Sequence, residues 1–198
     1  MTQVTLRGIT IIFFKNVINT LSPQSLLRLT AKNRLVLPSP NGSVITFKAK
    51  ALLAKSACRK TAIFSASLRN LKATALACQR FSNILIVPCG EKWADGSLRP
   101  SLEDLTAAGG VIAQLKNRKA SPEAQAAAAI YHAVTVEQLR QCSSAQELIE
   151  RGFADDVSLC LTPNVSGVAC QLVDDAFIAV PTAFSPCAAG STRLISGP

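Results

Sequence analysis

The spacing of apolar residues alternates between two patterns along this chain. Short, almost continuous apolar runs predict three buried strands, at residues 34–38, 61–64 and 83–88. Apolar residues at helical spacing predict helices at 44–55, 67–79, 101–115, 121–140, 144–151 and 154–161. Two short strands are predicted later, at 168–173 and 177–180. Strands that alternate with helices are typical of parallel sheets, so we expect an α/β fold with a mostly parallel sheet flanked by helices.

Composition divides the chain into three parts. Residues 1–21 form a divergent N-terminal segment, 22–180 the α/β domain, and 181–198 a loose C-terminal tail rich in Pro, Ala, Gly and Ser. A length of 198 residues suffices for one domain with a sizeable core. The apolar run at residues 8–14 is shorter than the roughly 20 residues that a membrane helix needs. We therefore expect no membrane association.

The positive charge is concentrated in the first half of the chain. Residues 1–90 hold 13 Lys and Arg and no acid, whereas residues 91–198 hold 8 bases and all 12 acids. A basic half is typical of proteins that bind nucleic acid, an anionic surface or a multiply charged small substrate. The bases are scattered and aromatic residues do not alternate with them, so nucleic-acid binding is the weaker alternative.

The cysteines and the single histidine limit the kinds of site that this chain can form. The seven Cys form no C-x-x-C and several lie in Ala-rich contexts, as expected for reduced thiols in a cytoplasmic protein. His132 is the only His, which disfavours a zinc site and excludes a two-histidine phosphatase site. The C-x-x-G-x-x-R spacing from Cys187 to Arg193 lies too close to the end of the sequence for a following helix, and we interpret it as a chance match.

The strongest candidate site is residues 88–104, PCGEKWADGSLRPSLED. It follows a predicted strand and precedes a helix, which is where α/β proteins place ligands. Asp95 and Glu91 offer oxygen ligands for a hard cation such as Mg²⁺. Arg99 can bind a phosphate or sulfonate through two parallel hydrogen bonds, and the Ser97 hydroxyl adds a further polar contact.

Two acids at the end of this segment have two interpretations. Glu103 and Asp104 follow Ser101 in the S-x-x-[DE] pattern that caps the start of a helix. Capping explains at least one of them fully, and the alternative is that they support a metal site.

Two earlier turns are candidate anion sites. Asn41, Gly42 and Ser43 lie between a predicted strand and a helix, so their N–H groups and hydroxyl could bind an anion. A tight turn with a helix cap is the simpler alternative there. Arg69 and Asn70 lie in the first turn of the next helix, where an Arg opposes the helix dipole unless it meets an anion.

Several runs together resemble the 2-phosphosulfolactate phosphatase family. The matching runs are RLVLPSPNGS at 34–43, SLRN at 67–70, VPCGEKWADGSLRPSLEDL at 87–105, SPEAQAAAA at 121–129 and CSSAQELIERGFADD at 142–156. They keep their order from about residue 22 to 177. The W-x-D-G-S-L-R-P-x-x-E-D run is long enough to be specific.

The resemblance implies a Mg²⁺-dependent phosphatase-like α/β domain. Its reaction converts 2-phospho-3-sulfolactate and water into 3-sulfolactate and phosphate, a step of coenzyme M biosynthesis or sulfolactate metabolism. The implied partner is a small anionic organophosphate that also carries a sulfonate, and whether the chain forms a homo-oligomer stays open.

Our leading hypothesis gives the candidate residues specific roles, with Asp95, Glu91 and Arg99 as the catalytic set. Asp95 and Glu91 would hold the metal with support from Glu103 or Asp104, while Arg69 and Arg99 would bind phosphate and sulfonate. The turn at 41–43, with Asn70 and Ser97, would complete the anion-binding set.

The family pattern is not complete in this sequence. Family members normally begin with a further segment carrying an Asp-Val-Leu-Arg-like motif, and residues 4–7 here lack its Asp. We therefore expect an N-terminally truncated or divergent member. The alternative functions are an inactive anion-binding or protein-interaction module of the same fold and, less favoured, a basic nucleic-acid-binding protein.

Overall fold

The structure is a computed structural model that describes residues 2–6, 9–13, 22–27, 29, 35, 41–55, 61–180 and 182. The helices in these residues are α1 (Pro23–Leu26), α2 (Gly42–Ala54), α3 (Leu71–Cys78), α4 (Leu102–Gln114), α5 (Pro122–Ala133), α6 (Val136–Arg140), α7 (Ser143–Glu150) and α8 (Ala154–Cys160). The strands are β1 (Thr2–Leu6), β2 (Ile9–Phe13), β3 (Phe64–Ser65), β4 (Glu91–Lys92), β5 (Leu98–Arg99), β6 (Ala169–Val173) and β7 (Ala176–Val180).

The strands form three small antiparallel sheets. β1 pairs with β2, β4 pairs with β5, and β3, β6 and β7 form a sheet in the order β3-β6-β7. A mixed α/β composition is therefore confirmed. The mostly parallel sheet is not supported, because every strand pair among the described residues is antiparallel. β6 and β7 pair through a two-residue turn in which Asp174 has φ 55°, a local connection that favours antiparallel pairing.

The predicted strand at 83–88 is wrong in this structure. The segment forms no ladder with another described strand, and Leu85 and Val87 are 88% and 51% exposed. Its apolar run predicted burial, but a strand also needs a neighbour to accept its backbone hydrogen bonds. Only Ile86 packs against the hydrophobic core. The predicted strand at 34–38 lies almost entirely outside the described residues, as does the tail at 181–198.

The helices follow the sequence pattern closely, with one exception. The predicted helix over 121–140 is two helices, α5 and α6, because Val134 adopts an extended conformation with ψ 128°. Three β-branched residues, Val134, Thr135 and Val136, meet at the break, and such residues are weak helix formers. Thr135 then starts α6, since its hydroxyl accepts from the Gln138 N–H at 3.2 Å.

The hydrophobic core lies on both faces of α3. Leu71 is fully buried, and together with Ala75 it packs against residues from α4, α6, α7 and α8. Ala73 and Ala77, on the other face, pack against Ala169 of the three-stranded sheet. Residues two apart on a helix point in different directions, so this alternation places α3 between the helices and the sheet.

Close packing of α4 on α5 depends on two glycines. A Cβ added to Gly109 would lie 1.9 Å from the Ala127 carbonyl oxygen, and one on Gly110 would lie 2.5 Å from Leu71. At Gly109 the obstacle is the α5 backbone, and at Gly110 it is the side chains of Leu71 on α3 and Tyr131 on α5, so no larger residue fits at either position. In the described part of the chain, no helix is long and apolar enough to cross a membrane.

We expect Gly109→Ala to destabilise the protein. Alanine gains about 1 kcal/mol of helix propensity, but overpacking costs about 1–3 kcal/mol and a backbone carbonyl cannot move away as a side chain can. Urea denaturation should show a net loss of roughly 1 kcal/mol or more. Gly167→Ala is the matched control, because its Cβ would meet nothing within 4 Å. Equal midpoints for the two variants would contradict this packing.

Candidate functional site

The predicted loop at 88–104 forms a tight hairpin from β4 and β5. The Trp93 N–H donates to the Ser97 carbonyl at 2.9 Å, and the Gly96 N–H donates to the Trp93 carbonyl at 2.9 Å. Gly96 has φ +83°, a conformation that glycine adopts without strain. Asp95 Oδ1 accepts from the Ser97 N–H at 2.9 Å and from its hydroxyl at 2.6 Å. These two bonds lower the pKa of the exposed Asp95 carboxyl.

Arg99, on β5, makes the densest set of polar contacts in this region. Its Nη2 donates to Glu147 Oε1 at 2.7 Å and its Nη1 to Glu147 Oε2 at 3.3 Å. Its Nη1 also lies 3.5 Å from Glu91 Oε2, and the guanidinium stacks 5.0 Å from the centre of the Trp93 ring. The bonds with Glu147 raise the pKa of Arg99, and they lower that of Glu147. Arg99 is therefore held firmly in one place.

Arg99 and Trp93 line an open cleft of about 300 Å³ between the starts of two helices, which we name the Arg99 cleft. Its other lining residues are Pro100, Ser101, Leu102 and Glu103 at the start of α4, and Cys142, Ser143 and Ser144 at the start of α7. The side chains of the two N-cap residues, Ser101 and Cys142, make no capping bond. The first N–H groups of a helix have no partner within it and can bind an anion, whereas the Glu103 carboxylate in the same cleft opposes one.

Asp104 lies beneath the hairpin rather than in the cleft. Its Oδ2 accepts from the Gly90 N–H at 2.8 Å, which ties the first strand of the hairpin to the first turn of α4. Burial raises the pKa of Asp104 despite this bond, and the charges of Glu103 and Glu91 add to the effect. Gly90 has φ +63°, and a Cβ there would lie 3.0 Å from the Arg99 carbonyl oxygen. The main role of Asp104 is therefore structural, because its carboxylate accepts the hydrogen bond that joins the hairpin to α4.

The candidate metal ligands do not gather around one point. Asp95 is engaged by Ser97 at the hairpin tip, Glu91 lies beside Arg99, and Asp104 binds Gly90. Within the described ranges, no group of three or more His, Cys, Asp or Glu side chains could hold a metal ion. These carboxylates therefore do not fit a dedicated magnesium site.

Arg69 and Asn70, which form the second candidate anion site, make hydrogen bonds to the backbone of the protein. Arg69 Nη1 donates to the Leu159 carbonyl. The buried Asn70 side chain donates to the Val168 carbonyl at 3.2 Å and accepts from the Ser67 N–H at 2.8 Å. The bonds to Leu159 and Val168 run to the 159–168 segment and not to the hairpin, and Arg69 lies in a short 3-10 helix, Leu68–Asn70, that precedes α3.

The turn at 41–43 begins α2, as its simpler interpretation predicts. Asn41 is the N-cap residue, and its carbonyl accepts from the Ile45 N–H at 3.1 Å without a side-chain capping bond. Further along α2, Lys50 Nζ donates to the Asp174 carbonyl at 2.6 Å and pairs with Asp175. Lys50 thus joins α2 to the β6–β7 turn. Of the predicted site residues, Arg99 and Glu103 line the Arg99 cleft, and Glu91 lies beside Arg99.

Sequence reasoning missed Glu147, the main partner of Arg99, and the contribution of α7 to the cleft. Both lie in the run at 142–156 that carries part of the family resemblance, which is the signal that could have found them. Cys89 and Cys142 are also close to the site, and burial raises the pKa of both thiols. The charge of Asp104 raises the pKa of Cys89 further, and the charge of Glu103 does the same for Cys142. A thiolate nucleophile is therefore disfavoured.

Comparison with known proteins gives the family. The family model described as 2-phosphosulpholactate phosphatase matches residues 19–175, which is most of the chain. The chain belongs to this family. The resemblance found in the sequence motifs is thereby confirmed.

Two relatives carry the same name. A protein of Thermotoga maritima named "Probable 2-phosphosulfolactate phosphatase" is 31% identical over 147 residues, covering 73% of this chain and 59% of its own. A protein of Thermotoga petrophila with the same name is 34% identical over 123 residues, covering 61% of this chain and 52% of its own. The chain therefore spans between half and three-fifths of the length of these curated relatives.

We expect Asp104→Asn to be at least as stable as the wild type at pH 7. The amide oxygen still accepts from the Gly90 N–H, and the variant removes a charge that burial disfavours. The pKa of Asp104 is higher in the folded than in the unfolded protein, so ionising this carboxyl lowers the stability of the fold. The loss of stability grows as the pH rises from the ordinary Asp range to the raised pKa, and it stays constant above that. The gain in stability of Asp104→Asn over the wild type, measured as the difference between their urea midpoints, should shrink as the pH falls from 7 toward 4.

Asp104→Ala is the comparison that tests the hydrogen bond. It removes the same charge but also leaves the Gly90 N–H without its acceptor, so a loss of about 1–3 kcal/mol relative to Asp104→Asn is expected at either pH. A variant Asp104→Asn that is clearly less stable than the wild type at pH 7 would show that the ionised carboxylate stabilises the hairpin.

Proposed function

We propose that this chain is a phosphoric monoester hydrolase that acts on 2-phosphosulfolactate. The reaction would consume water and release phosphate and sulfolactate. Family membership over residues 19–175 supports the proposal, and so do the printed names of the two relatives. The chain covers only part of each relative, so the activity is our proposal.

One observation about the fold carries the assignment of the site. The runs at 87–105 and 142–156, which both carry the family resemblance, meet at the Arg99 cleft. The first run contributes Trp93, Arg99 and the start of α4, and the second contributes the start of α7. Two segments that are far apart in sequence thus line one cleft, which holds Arg99 and two helix starts.

The chemistry of the proposed substrate suits this cleft. The substrate carries a phosphate, a sulfonate and a carboxylate, so binding it requires several positive or hydrogen-bond-donating groups. Arg99 offers the guanidinium, and the two helix starts offer N–H groups and the hydroxyls of Ser101, Ser143 and Ser144. In phosphoryl transfer, positioning and neutralisation of charge supply most of the rate.

Carboxylates would assist the attack of water on phosphorus. Glu103 lines the cleft, and Glu91 lies beside Arg99, so both are placed near the proposed phosphate. Asp95 remains our candidate for an acidic group that approaches from the hairpin tip. Arg69 and Asn70, with the turn at 41–43, remain candidates for the rest of the anion contacts.

The requirement for Mg²⁺ stays a prediction from the family resemblance. Because the described carboxylates do not fit a dedicated magnesium site, we assign no step to a metal. The cytoplasmic location and a place in coenzyme M biosynthesis are predictions of the same kind.

A non-catalytic anion-binding module of the same fold is the second candidate. It is favoured by one observation, that the candidate carboxylates in the described ranges form no cluster that could hold a metal ion. A module of this kind would bind the substrate anion without releasing phosphate.

Phosphate release from racemic 2-phospho-3-sulfolactate tests the proposal directly. We expect release by the chain in the presence of Mg²⁺, and its loss with EDTA would support the metal requirement that the family resemblance implies. Release that persists in EDTA would retain the phosphatase and remove the metal requirement. A folded protein that binds the substrate but releases no phosphate would favour the non-catalytic module.

We expect Arg99→Lys to raise KM by roughly tenfold or more, because lysine cannot reproduce the two parallel bonds of a planar guanidinium. Steady-state kinetics with the same substrate measures the effect. Arg140→Lys is the matched control, since Arg140 is bonded to Ser158 on α8, away from the cleft lining. Unchanged kinetics in Arg99→Lys would remove Arg99 from the site.

A further inference from the structure

The guanidinium of Arg99 is occupied by a side chain that resembles a ligand. Glu147 presents its two carboxylate oxygens to Nη1 and Nη2 at 3.3 Å and 2.7 Å. Two parallel N–H···O bonds of this kind are the way in which arginine binds carboxylates and phosphates in general. Glu147 therefore occupies the positions that an anionic substrate group would need.

The two members of the pair differ in how firmly they are held. The Arg99 side chain is only 16% exposed and stacks on Trp93, whereas the Glu147 side chain is 43% exposed. Glutamate is long and flexible, and partly exposed ion pairs are weak because solvent screens them. Glu147 can thus leave when an anion takes over its two bonds to the guanidinium, and Arg99 then stays in position over the indole.

The position of Glu147 on α7 links this exchange to the Arg99 cleft. Ser143, which lines the cleft, precedes Glu147 by four residues, so the two lie on the same face of the helix. Movement of Glu147 away from Arg99 would open the guanidinium and the start of α7 to the same incoming anion.

We propose that Glu147 is a positioning residue that holds Arg99 in the absence of substrate and is displaced by the substrate's anionic group. Glu147 keeps the guanidinium oriented over Trp93 and competes with the anion for it. The inference rests on the proposed function of the Arg99 cleft and adds a residue that determines its affinity. A purely structural Glu147 would remain bound to Arg99 when the anion binds.

The only Trp of the chain makes the exchange measurable. Trp93 lines the Arg99 cleft and stacks on Arg99, so its fluorescence reports an anion that binds beside the guanidinium without any turnover. We would titrate the full chain with inorganic phosphate and follow this emission in the wild type, Glu147→Gln and Glu147→Asp. Glu150→Gln, on the same helix, is the control for the loss of one charge from α7.

Displacement predicts tighter phosphate binding in both Glu147 variants, by about two- to fivefold, the range expected for release of a partly exposed ion pair. Aspartate keeps the charge but is one methylene too short for the two-bond contact, so it should behave like glutamine. Glu150→Gln should bind phosphate as the wild type does. Thermal melting of each variant checks that the fold is retained.

Two results would overturn the proposal. Weaker or unchanged binding in both variants would show that Glu147 only supports the site. Tighter binding in Glu147→Gln but not in Glu147→Asp would show a general charge effect. Because these readouts need no hydrolysis, a chain that binds as expected but releases no phosphate would retain this inference and reject the proposed activity.

Discussion

The ion pair between Arg99 and Glu147 joins two segments that are 48 residues apart. β4 and β5 have two residues each, and so short a hairpin has little stability of its own. Its position depends on contacts outside itself: Arg99 binds α7, and Gly90 binds Asp104 on α4. The same contacts fix the guanidinium between the starts of two helices, so the stability of the hairpin and the arrangement of the candidate site have one origin.

The helices supply the rigidity that this arrangement needs. α4 packs tightly on α5 through Gly109, and Ala145 of α7 belongs to the core cluster around Leu71. The starts of α4 and α7 are therefore held by buried residues within one or two turns of the cleft. A site built on the ends of packed helices can present N–H groups to an anion without reorganisation.

The sequence predicts features whose cause is local. The Asp95-Gly96 turn, the start of α5 after Ser121 and the helix at α8 are encoded by neighbouring residues, and all are present. Features that depend on residues far away in the sequence were not predicted. No residue near Arg99 in the sequence identifies Glu147 as its partner. The sequence also suggests Arg69 as an anion ligand, whereas in the structure its guanidinium donates to the Leu159 carbonyl. The run at 83–88 has the composition of a buried strand, but burial also requires a neighbouring strand, which the run does not encode.

The central claim is that the substrate's anionic group binds Arg99 at the starts of α4 and α7. A crystal structure of the chain with bound sulfolactate and phosphate tests it most directly. We predict an anion within about 2.7–3.2 Å of the Arg99 guanidinium and of N–H groups at one or both helix starts, with Glu147 turned away. An anion bound instead at Arg69 or at the turn 41–43, with the Arg99–Glu147 pair intact, would contradict the account.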